Sequence, residues 1–324
     1  MIIYEKGGAN IMPKVKKETP PMILGILWSL MIFMFLFLIV SPDMAAGAVR
    51  ESLSSCALKL IPSLFPFLVL TRLFSSTGLS ERLSRLFSPL CVFMGIPKEG
   101  ASAMLLGAVG GFPTGAVMTR ELHEKGIIGS DEASRLIAVS NNAGLAFCVG
   151  TVGGILYKSP AIGWKLWLSQ LFAAFIILAV SGAAFRKNAK ALPKSDDNVR
   201  RPLSVSELLS AFAESVTSAA LTMIKICAFA VFFGVVGRVV TMVVPRIFGI
   251  ISLSFCELTL AVTKAAALGR AGLPICAFAL GFAGMSVHAQ VAAVLAKSGI
   301  SMRKYFLAKF IQGLISALMT VILC

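Results

Sequence analysis

The sequence predicts an all-α, polytopic integral membrane protein with two inverted-topology repeats that contain broken helices. The first observation is composition: the 324 residues are 57% hydrophobic, with a mean hydropathy of +0.88, whereas soluble domains carry about 45–50% apolar residues. The second is that several apolar runs reach the roughly 20 residues needed to cross a bilayer. These runs are continuous rather than alternating, which excludes a transmembrane β-barrel. The third is a pair of matching interruptions in two such runs.

The first interruption lies in the run from Ala103 to Ala116. It contains Gly110, Gly111, Pro113 and Thr114. Proline lacks an N–H and clashes with the preceding helical turn, so a straight helix through this point is costly. Because lipid cannot satisfy free backbone groups, such a break persists only where protein or a water-filled cavity covers it.

A second segment near the C-terminus repeats this pattern. The residues that recur with the same spacing are Ala103, Leu106, Gly107 and Gly110, matched by Ala277, Leu280, Gly281 and Gly284. Upstream, the segment 51–58 resembles 214–221 in the same order. Two matching segments in one order indicate an internal duplication.

The net charge of +15 is explained by lysines and arginines in loops, where they face anionic lipid. No basic stretch is interleaved with stacking aromatic residues, so nucleic acid is excluded as a partner. The seven cysteines lie mostly in apolar runs without a C-x-x-C pair. They predict neither a disulfide framework nor a metal site, and no cofactor is expected.

The N-terminal part predicts a cytoplasmic segment, residues 1–21, followed by a first transmembrane helix over residues 22–40. Lys14, Lys16 and Lys17 precede this helix and place its N-terminus in the cytoplasm. Met12 is an alternative candidate for the initiator.

The first repeat is predicted over residues 43–185. An amphipathic helix at 43–61 is expected at the interface or against the bundle, and Pro66 should make the next helix irregular. A helix beginning at Asp131 is expected to continue through Asn141 and Asn142 to residue 155. A clean span follows over 164–185.

Residues 186–206 form a basic linker that is predicted to be cytoplasmic, and the second repeat occupies 207–324. The first repeat then begins outside and ends inside, so the second must run in the opposite sense and end outside. This is the inverted-topology arrangement of many secondary transporters. We expect position 195 to be protected from cysteine labelling applied outside intact cells.

The motifs resemble a known group. The segments that carry the resemblance are Pro62–Phe67, Gly110–Ala116, Ser140–Asn142 and Gly281–Val291. Together they resemble the sporulation integral membrane protein family typified by YlbJ, within the wider nucleoside-recognition, or Gate, group. The resemblance covers roughly residues 44–323 and implies a role in making heat-resistant, cortex-bearing endospores. It also implies a multi-pass protein in the membrane of a spore-forming bacterium.

The interruptions themselves are candidates for a substrate path, since half-helix N-termini at Gly110–Thr114 and near Gly284 would direct N–H groups at a solute. The alternative is that the glycines only let helices approach closely. Asn141 and Asn142 bring donors and acceptors to one depth. They either bind a neutral polar solute or cap the broken backbone of the other repeat.

Glu257 is an ionisable group inside an apolar run, which is costly unless it faces a cavity or a partner. It is interpreted either as a coupling site for a proton or cation or as an ion-pair partner of Lys264 or Lys225. Thr259 beside it is a further candidate for the path.

His288 is expected at the second break, at the position equivalent to Thr114. An imidazole there could relay a proton or simply hydrogen-bond across a helix interface. Gln290 is its expected companion, and Ser286 is a candidate for the same path.

The sequence therefore favours a transporter, channel or gate for a small solute or ion. The alternative is a non-transporting scaffold or assembly factor of the forespore membrane. An intramembrane enzyme is disfavoured because no H-E-x-x-H, G-x-S-x-G or paired-acid motif is present. Membrane lipid is the expected partner, and homo-oligomerisation is left open.

Overall fold

The computed structural model describes residues 21–79, 82, 85–93, 96–185, 204–245 and 248–323. These residues form helices and connecting turns without a β-strand. Five helical stretches in this described part are long and apolar enough to cross a membrane: Pro42–Ser76, Pro160–Val180, Val205–Val243, Gly269–Val294 and Met302–Leu323. The predicted all-α, polytopic membrane class is confirmed.

The chain divides into two compact units, residues 1–45 and 46–324. The first unit contains α1 (Pro21–Val40), a helix of 20 residues without a charged side chain. That α1 crosses the membrane stays a prediction. The predicted cytoplasmic segment before α1 and the core of the basic linker, residues 186–203, lie outside the described residues.

A helix without interruption runs from α2 (Pro42–Ser55) through a π-helical turn (Cys56–Leu60) into α3 (Ile61–Ser76). The predicted amphipathic helix over 43–61 is therefore the first part of a longer helix, and its place at the interface or against the bundle stays a prediction. Pro62 would clash with the carbonyl four residues earlier in a regular α-helix. The wider π turn, in which the N–H of Ile61 donates to the Cys56 carbonyl, lets the helix continue past it.

The rest of the first half consists of short helices and one long one. They are α4 (Ser88–Phe93), α5 (Gly100–Gly110), α6 (Thr114–Glu124), α7 (Ser130–Ser140), a π-helical segment (Ala146–Leu156) and α8 (Pro160–Phe185). The helix predicted to run from Asp131 to residue 155 is wrong, because the chain is not helical between Asn141 and Gly144.

The second half begins with the longest helix, α9 (Val205–Val243). A Ser204 cap whose hydroxyl accepts the Glu207 N–H starts it. The remaining helices are α10 (Gly249–Cys256), α11 (Leu258–Ala266), α12 (Leu273–Phe282), α13 (Gly284–Val294) and α14 (Met302–Leu323).

Helix α14 connects the two halves, since it packs along α12 and also against α7 and α8. The duplicated segments occupy similar elements: residues 51–58 lie in the helix from α2 to α3 and 214–221 in α9. The first glycine motif lies in α5, and the second lies in α12 except for Gly284, which begins α13. That the two repeats, 43–185 and 207–324, are inverted across a membrane stays a prediction.

Candidate functional site

The first interruption lies between α5 and α6, as predicted. Gly111 has a φ of +79°, a conformation that disfavours a side chain. Its backbone also lies against Gly144, where a Cβ on Gly111 would stand 2.7 Å from the Gly144 nitrogen. The Phe112–Pro113 peptide bond is cis, and the N–H of Thr114 donates to the Gly111 carbonyl at 2.8 Å.

The second interruption, Asn141–Gly144, is held by the first. Gly107 in α5 and Gly115 in α6 both lie so close to the end of α7 that a Cβ on either would overlap the Ser140 carbonyl oxygen. The glycines on both sides of the first break therefore admit the backbone of the second. This explains why glycine is required at these two helical positions.

A buried lysine stabilises the second interruption from the other half of the chain. Lys309 on α14 is 0% exposed. Its Nζ donates to the Asn141 carbonyl at 2.9 Å, to Asn142 Oδ1 at 3.2 Å and to Gln312 Oε1. These bonds use the three donors of an ammonium. Among the described residues no carboxylate forms an ion pair with Lys309.

The charge of Lys309 instead lies at the C-terminal end of α7, where the helix dipole favours a cation. Gln312 Nε2 completes the cluster by donating to Asn142 Oδ1 and to the Gln170 carbonyl, both at 2.8 Å. We call Lys309, Asn142, Gln312 and Gln170 the Lys309 cluster. It ties α14 to α8 and to the broken end of α7.

The two asparagines make different contacts at the end of α7, and binding of a solute by them stays a prediction. Asn142 Nδ2 donates to the Val139 carbonyl at 2.6 Å, and Asn141 Nδ2 donates to the Tyr305 hydroxyl at 2.9 Å. Asn142 thus caps its own repeat, although a cap on the other repeat was one alternative. The cross-repeat contacts run through side chains of α14.

The third interruption is Glu257 itself. It has an extended backbone between α10 and α11, is 3% exposed, and its Oε2 accepts the Leu260 N–H at 2.7 Å. The predicted pairing with Lys264 or Lys225 is wrong. Lys264 pairs with Glu51 at 2.7 Å, and Lys225 is in none of the ion pairs found among the described residues.

The fourth interruption falls at Ala283 and Gly284, between α12 and α13, where φ is +79° and +68°. The predicted break near Gly284 is confirmed, but His288 is not at it. His288 is the fifth residue of α13. The second repeat lacks the proline of the first, and its turn is made earlier by two left-handed residues.

His288 has an aromatic environment. Its ring centroid lies 4.8 Å from that of Phe282, 4.9 Å from Phe306 and 5.2 Å from Tyr305. Neither ring nitrogen forms a hydrogen bond of good geometry. Both interpretations of His288, a proton relay and a hydrogen bond across a helix interface, stay predictions.

The interruptions meet around one small space, which we call the central cavity. Its volume is about 30 Å³. Residues from both halves of the chain line it. The first half supplies Phe112, Ala143 and Gly144, and the second half supplies Glu257, Thr259, Ser286 and Gln290. The cavity is thus lined by residues of the first three interruptions and of α13, the helix that follows the fourth interruption. Phe112 also touches the Lys309 cluster, since Lys309 Nζ lies 5.5 Å from its ring centroid.

A larger space, the vestibule, lies between α3, α6 and α9. Its volume is about 300 Å³, the lower end of the range for small-molecule pockets. Its charged and hydroxyl side chains include Thr71, Arg72, Thr114, Glu121, Lys125, Glu214, Ser215 and Thr222. Arg72 Nη2 donates to Thr222 Oγ1 at 3.0 Å, and the buried Thr114 hydroxyl lacks a hydrogen-bond partner.

The structure distributes six of the twelve predicted site residues between two spaces. Glu257, Thr259, Ser286 and Gln290 line the central cavity, while Pro113 and Thr114 line the vestibule. Sequence reasoning missed Lys309, Gln312, Gln170 and Tyr305. Lys309 could have been found by the criterion applied to Glu257, because it is a charge inside the apolar run of α14.

Part of this sequence matches a known protein family. Residues 57–160, which contain the first two interruptions, match the family described as Gate, nucleoside recognition. The chain is also 24% identical to the sporulation integral membrane protein YlbJ of Bacillus subtilis (strain 168), over 91% of this chain and 81% of that protein. No solved structure matches the chain significantly.

The resemblance inferred from the motifs is thereby confirmed. The Gate match spans α3 to α7 and the π-helical segment, and so includes Phe112 and the asparagines. The similarity to YlbJ extends over nearly the whole chain. Glu257, Lys309, Gln312 and the cavity wall from α13 lie beyond the Gate match, in the second half of the chain.

Proposed function

We propose that this protein moves a small solute or ion across the membrane of a sporulating bacterium, along a path through the central cavity. The observation that carries the proposal is the meeting of interrupted helices from both halves around a cavity lined by the buried Glu257. Interrupted helices facing each other near the middle of two repeats are the usual form of a transporter site. Ionisable groups in such places commonly serve the transported species.

A scaffold has no need for this arrangement. Every interruption leaves backbone groups for which lipid offers no hydrogen-bond partner. At the second interruption, a buried lysine, two glutamines and two asparagines form the hydrogen-bonded cluster that stabilises it. The name of YlbJ places that relative in sporulation, which supports a related role here. Nothing lining the central cavity selects a nucleoside, despite the description of the Gate family.

The described state is closed, since the volume of the central cavity, about 30 Å³, is far below the roughly 300–1,000 Å³ of small-molecule sites. The vestibule supports an approach from one side. It is lined by the first turns of α9, which directly follow the basic linker. With that linker and the N-terminus in the cytoplasm, as the lysine and arginine distribution indicates, the vestibule opens to the cytoplasm.

Flux measurement with the purified full-length chain in liposomes tests the proposal. The panel contains nucleosides, small carboxylic acids and monovalent cations, each measured against protein-free liposomes. Saturable uptake of at least one class is expected. Absence of flux for the whole panel, with protein shown to be folded and inserted, would favour the scaffold alternative.

Replacing Glu257 with glutamine is expected to leave folding intact and abolish this flux. Gln Oε1 can still accept the Leu260 N–H and so keep the α11 cap, but the side chain can no longer bind a proton or cation. The melting temperature in detergent and the initial flux rate are the measurements. Glu124→Gln is the matched control, because Glu124 is an exposed partner of Arg120. Wild-type flux in Glu257→Gln would remove the carboxylate from the mechanism.

A further inference from the structure

Four of the side chains that line the central cavity contain oxygen atoms. Glu257 supplies a carboxylate, Gln290 an amide, and Thr259 and Ser286 hydroxyls. The volume of about 30 Å³ is enough for one water-sized occupant, which needs about 10–15 Å³ by the same measure. The wall is otherwise apolar or glycine and alanine backbone. An occupant must therefore be small and must be held by oxygen.

The environment of Gln290 supports such an occupant. The side chain is 6% exposed, and its Oε1 is buried without a hydrogen-bond partner. A buried acceptor left unsatisfied costs about 1–3 kcal/mol, and sites of this kind commonly mark a missing ion or water. The oxygen lies on α13, in the same cavity wall as Glu257.

The described side chains form no ion pair with the Glu257 carboxyl group. Lys264, seven residues later on α11, is engaged with Glu51. The ammonium of Lys59 donates instead to Thr263 Oγ1 at 2.9 Å. One carboxylate oxygen is bound to the N-terminus of α11. An ionised carboxylate at this position would be only partly compensated in an apolar surrounding, where an ion usually needs a partner.

Backbone carbonyls add to the negative potential beside this wall. α10 ends at Cys256, and Gly284 lies so close that a Cβ on it would stand 3.3 Å from the Cys256 carbonyl oxygen and 3.4 Å from that of Ser254. The last carbonyls of a helix carry partial negative charge. Such helix ends coordinate cations in transporters with interrupted helices.

We propose that the central cavity binds one monovalent cation of about the size of sodium, held by Glu257 and Gln290 Oε1 with the hydroxyls of Thr259 and Ser286 beside it. Hard oxygen ligands suit such an ion, and a single carboxylate neutralises a single positive charge. Calcium sites use six to eight oxygens, commonly with several carboxylates. The described residues contain no group of three or more His, Cys, Asp or Glu that could hold a metal ion.

This inference rests on the proposed function, because it names the ion that would accompany or constitute the transported species. It also assigns the repeat that binds it, since all four side chains belong to the second half. The first half contributes the opposite wall, through Phe112 and Gly144.

The test is thermal unfolding of the purified full-length protein in detergent, titrated with sodium, potassium or choline chloride at constant ionic strength and pH. A ligand that binds only the folded protein raises the melting temperature saturably. We expect a saturable rise with sodium and none with choline. Glu257→Gln should abolish the rise. Gln290→Met, which keeps side-chain volume but removes the oxygen, should raise the half-saturating concentration about tenfold or more.

The control Glu124→Gln should respond to sodium like the wild type, since its carboxylate is exposed and faces Arg120. No cation-specific rise in the wild type, or an undiminished rise in Glu257→Gln, would overturn the site. Glu257→Gln decides the question if Gln290→Met accumulates poorly. Because binding is measured without transport, a sodium effect without any flux would refute only the proposed function. Flux without a sodium effect would refute only the cation site.

Discussion

Replacing Gly107 with alanine is expected to abolish accumulation of the folded protein. The added Cβ would overlap the Ser140 carbonyl oxygen and come within 2.8 Å of its carbon. Both are backbone atoms at the end of α7, and they are fixed in place by the Lys309 cluster. These backbone atoms cannot rotate away as a side chain would. We therefore expect the free energy of unfolding to fall by more than about 4 kcal/mol, which is exceptional for a single substitution. Yield of monodisperse protein and melting temperature in detergent measure it.

Gly150→Ala is the matched control, since no atom lies within 4 Å of a Cβ built on Gly150. Replacing glycine with alanine within a helix stabilises the fold by about 0.5–1 kcal/mol. The yield and melting temperature of the control should therefore equal or exceed those of the wild type. Gly115→Ala should behave like Gly107→Ala, because it meets the same oxygen. Normal yield of both variants would show that α7 does not end where the structure places it.

Replacing Lys309 with methionine is expected to lower the melting temperature strongly. Methionine removes the cost of burying a charge, but it leaves two oxygens without a donor, the Asn141 carbonyl and Gln312 Oε1, and it removes one of the two donors to Asn142 Oδ1. Each unsatisfied buried acceptor costs about 1–3 kcal/mol. The second interruption should therefore lose its order first, and the melting temperature should fall together with resistance to proteolysis near residues 141–144.

Lys304→Met on the same helix is the control. Lys304 is half-exposed and donates to the exposed Asp131 at 2.7 Å, and its ammonium holds the pKa of that carboxyl below its usual range. Such surface pairs contribute at most about 1 kcal/mol. A Lys309 variant as stable as the Lys304 variant would mean that the cluster is not needed to hold α7.

The sequence predicted the class of the protein and two of the interruptions because both leave local marks. Gly111 and Pro113 break a helix by their own chemistry, and Gly284 recurs in a duplicated motif. The interruption at Asn141 left no such mark. Its residues are compatible with a helix, and the break is stabilised by Lys309, which lies far away in the chain. Propensity cannot report a contact of that kind.

Glu257 illustrates the same limit from the other direction. Its position in an apolar run predicted a special environment, and the structure confirms that it is buried. The partner was wrong, because a charge-pairing argument considers side chains, whereas the carboxylate caps a helix that begins at Leu258. The expected place of His288 failed because repeats that share glycine spacing need not share the register of the turn. The site roles of these residues stay predictions.

The consecutive residues Phe112, Pro113 and Thr114 do not face the same space. Phe112 borders the central cavity, while its two successors border the vestibule. The barrier between the central cavity and the vestibule is therefore formed by a single turn of the backbone at this point. Glycines precede it at Gly110 and Gly111, and Gly115 follows. A barrier so thin could be removed by a local rotation of the backbone, without sliding any of the long helices past another.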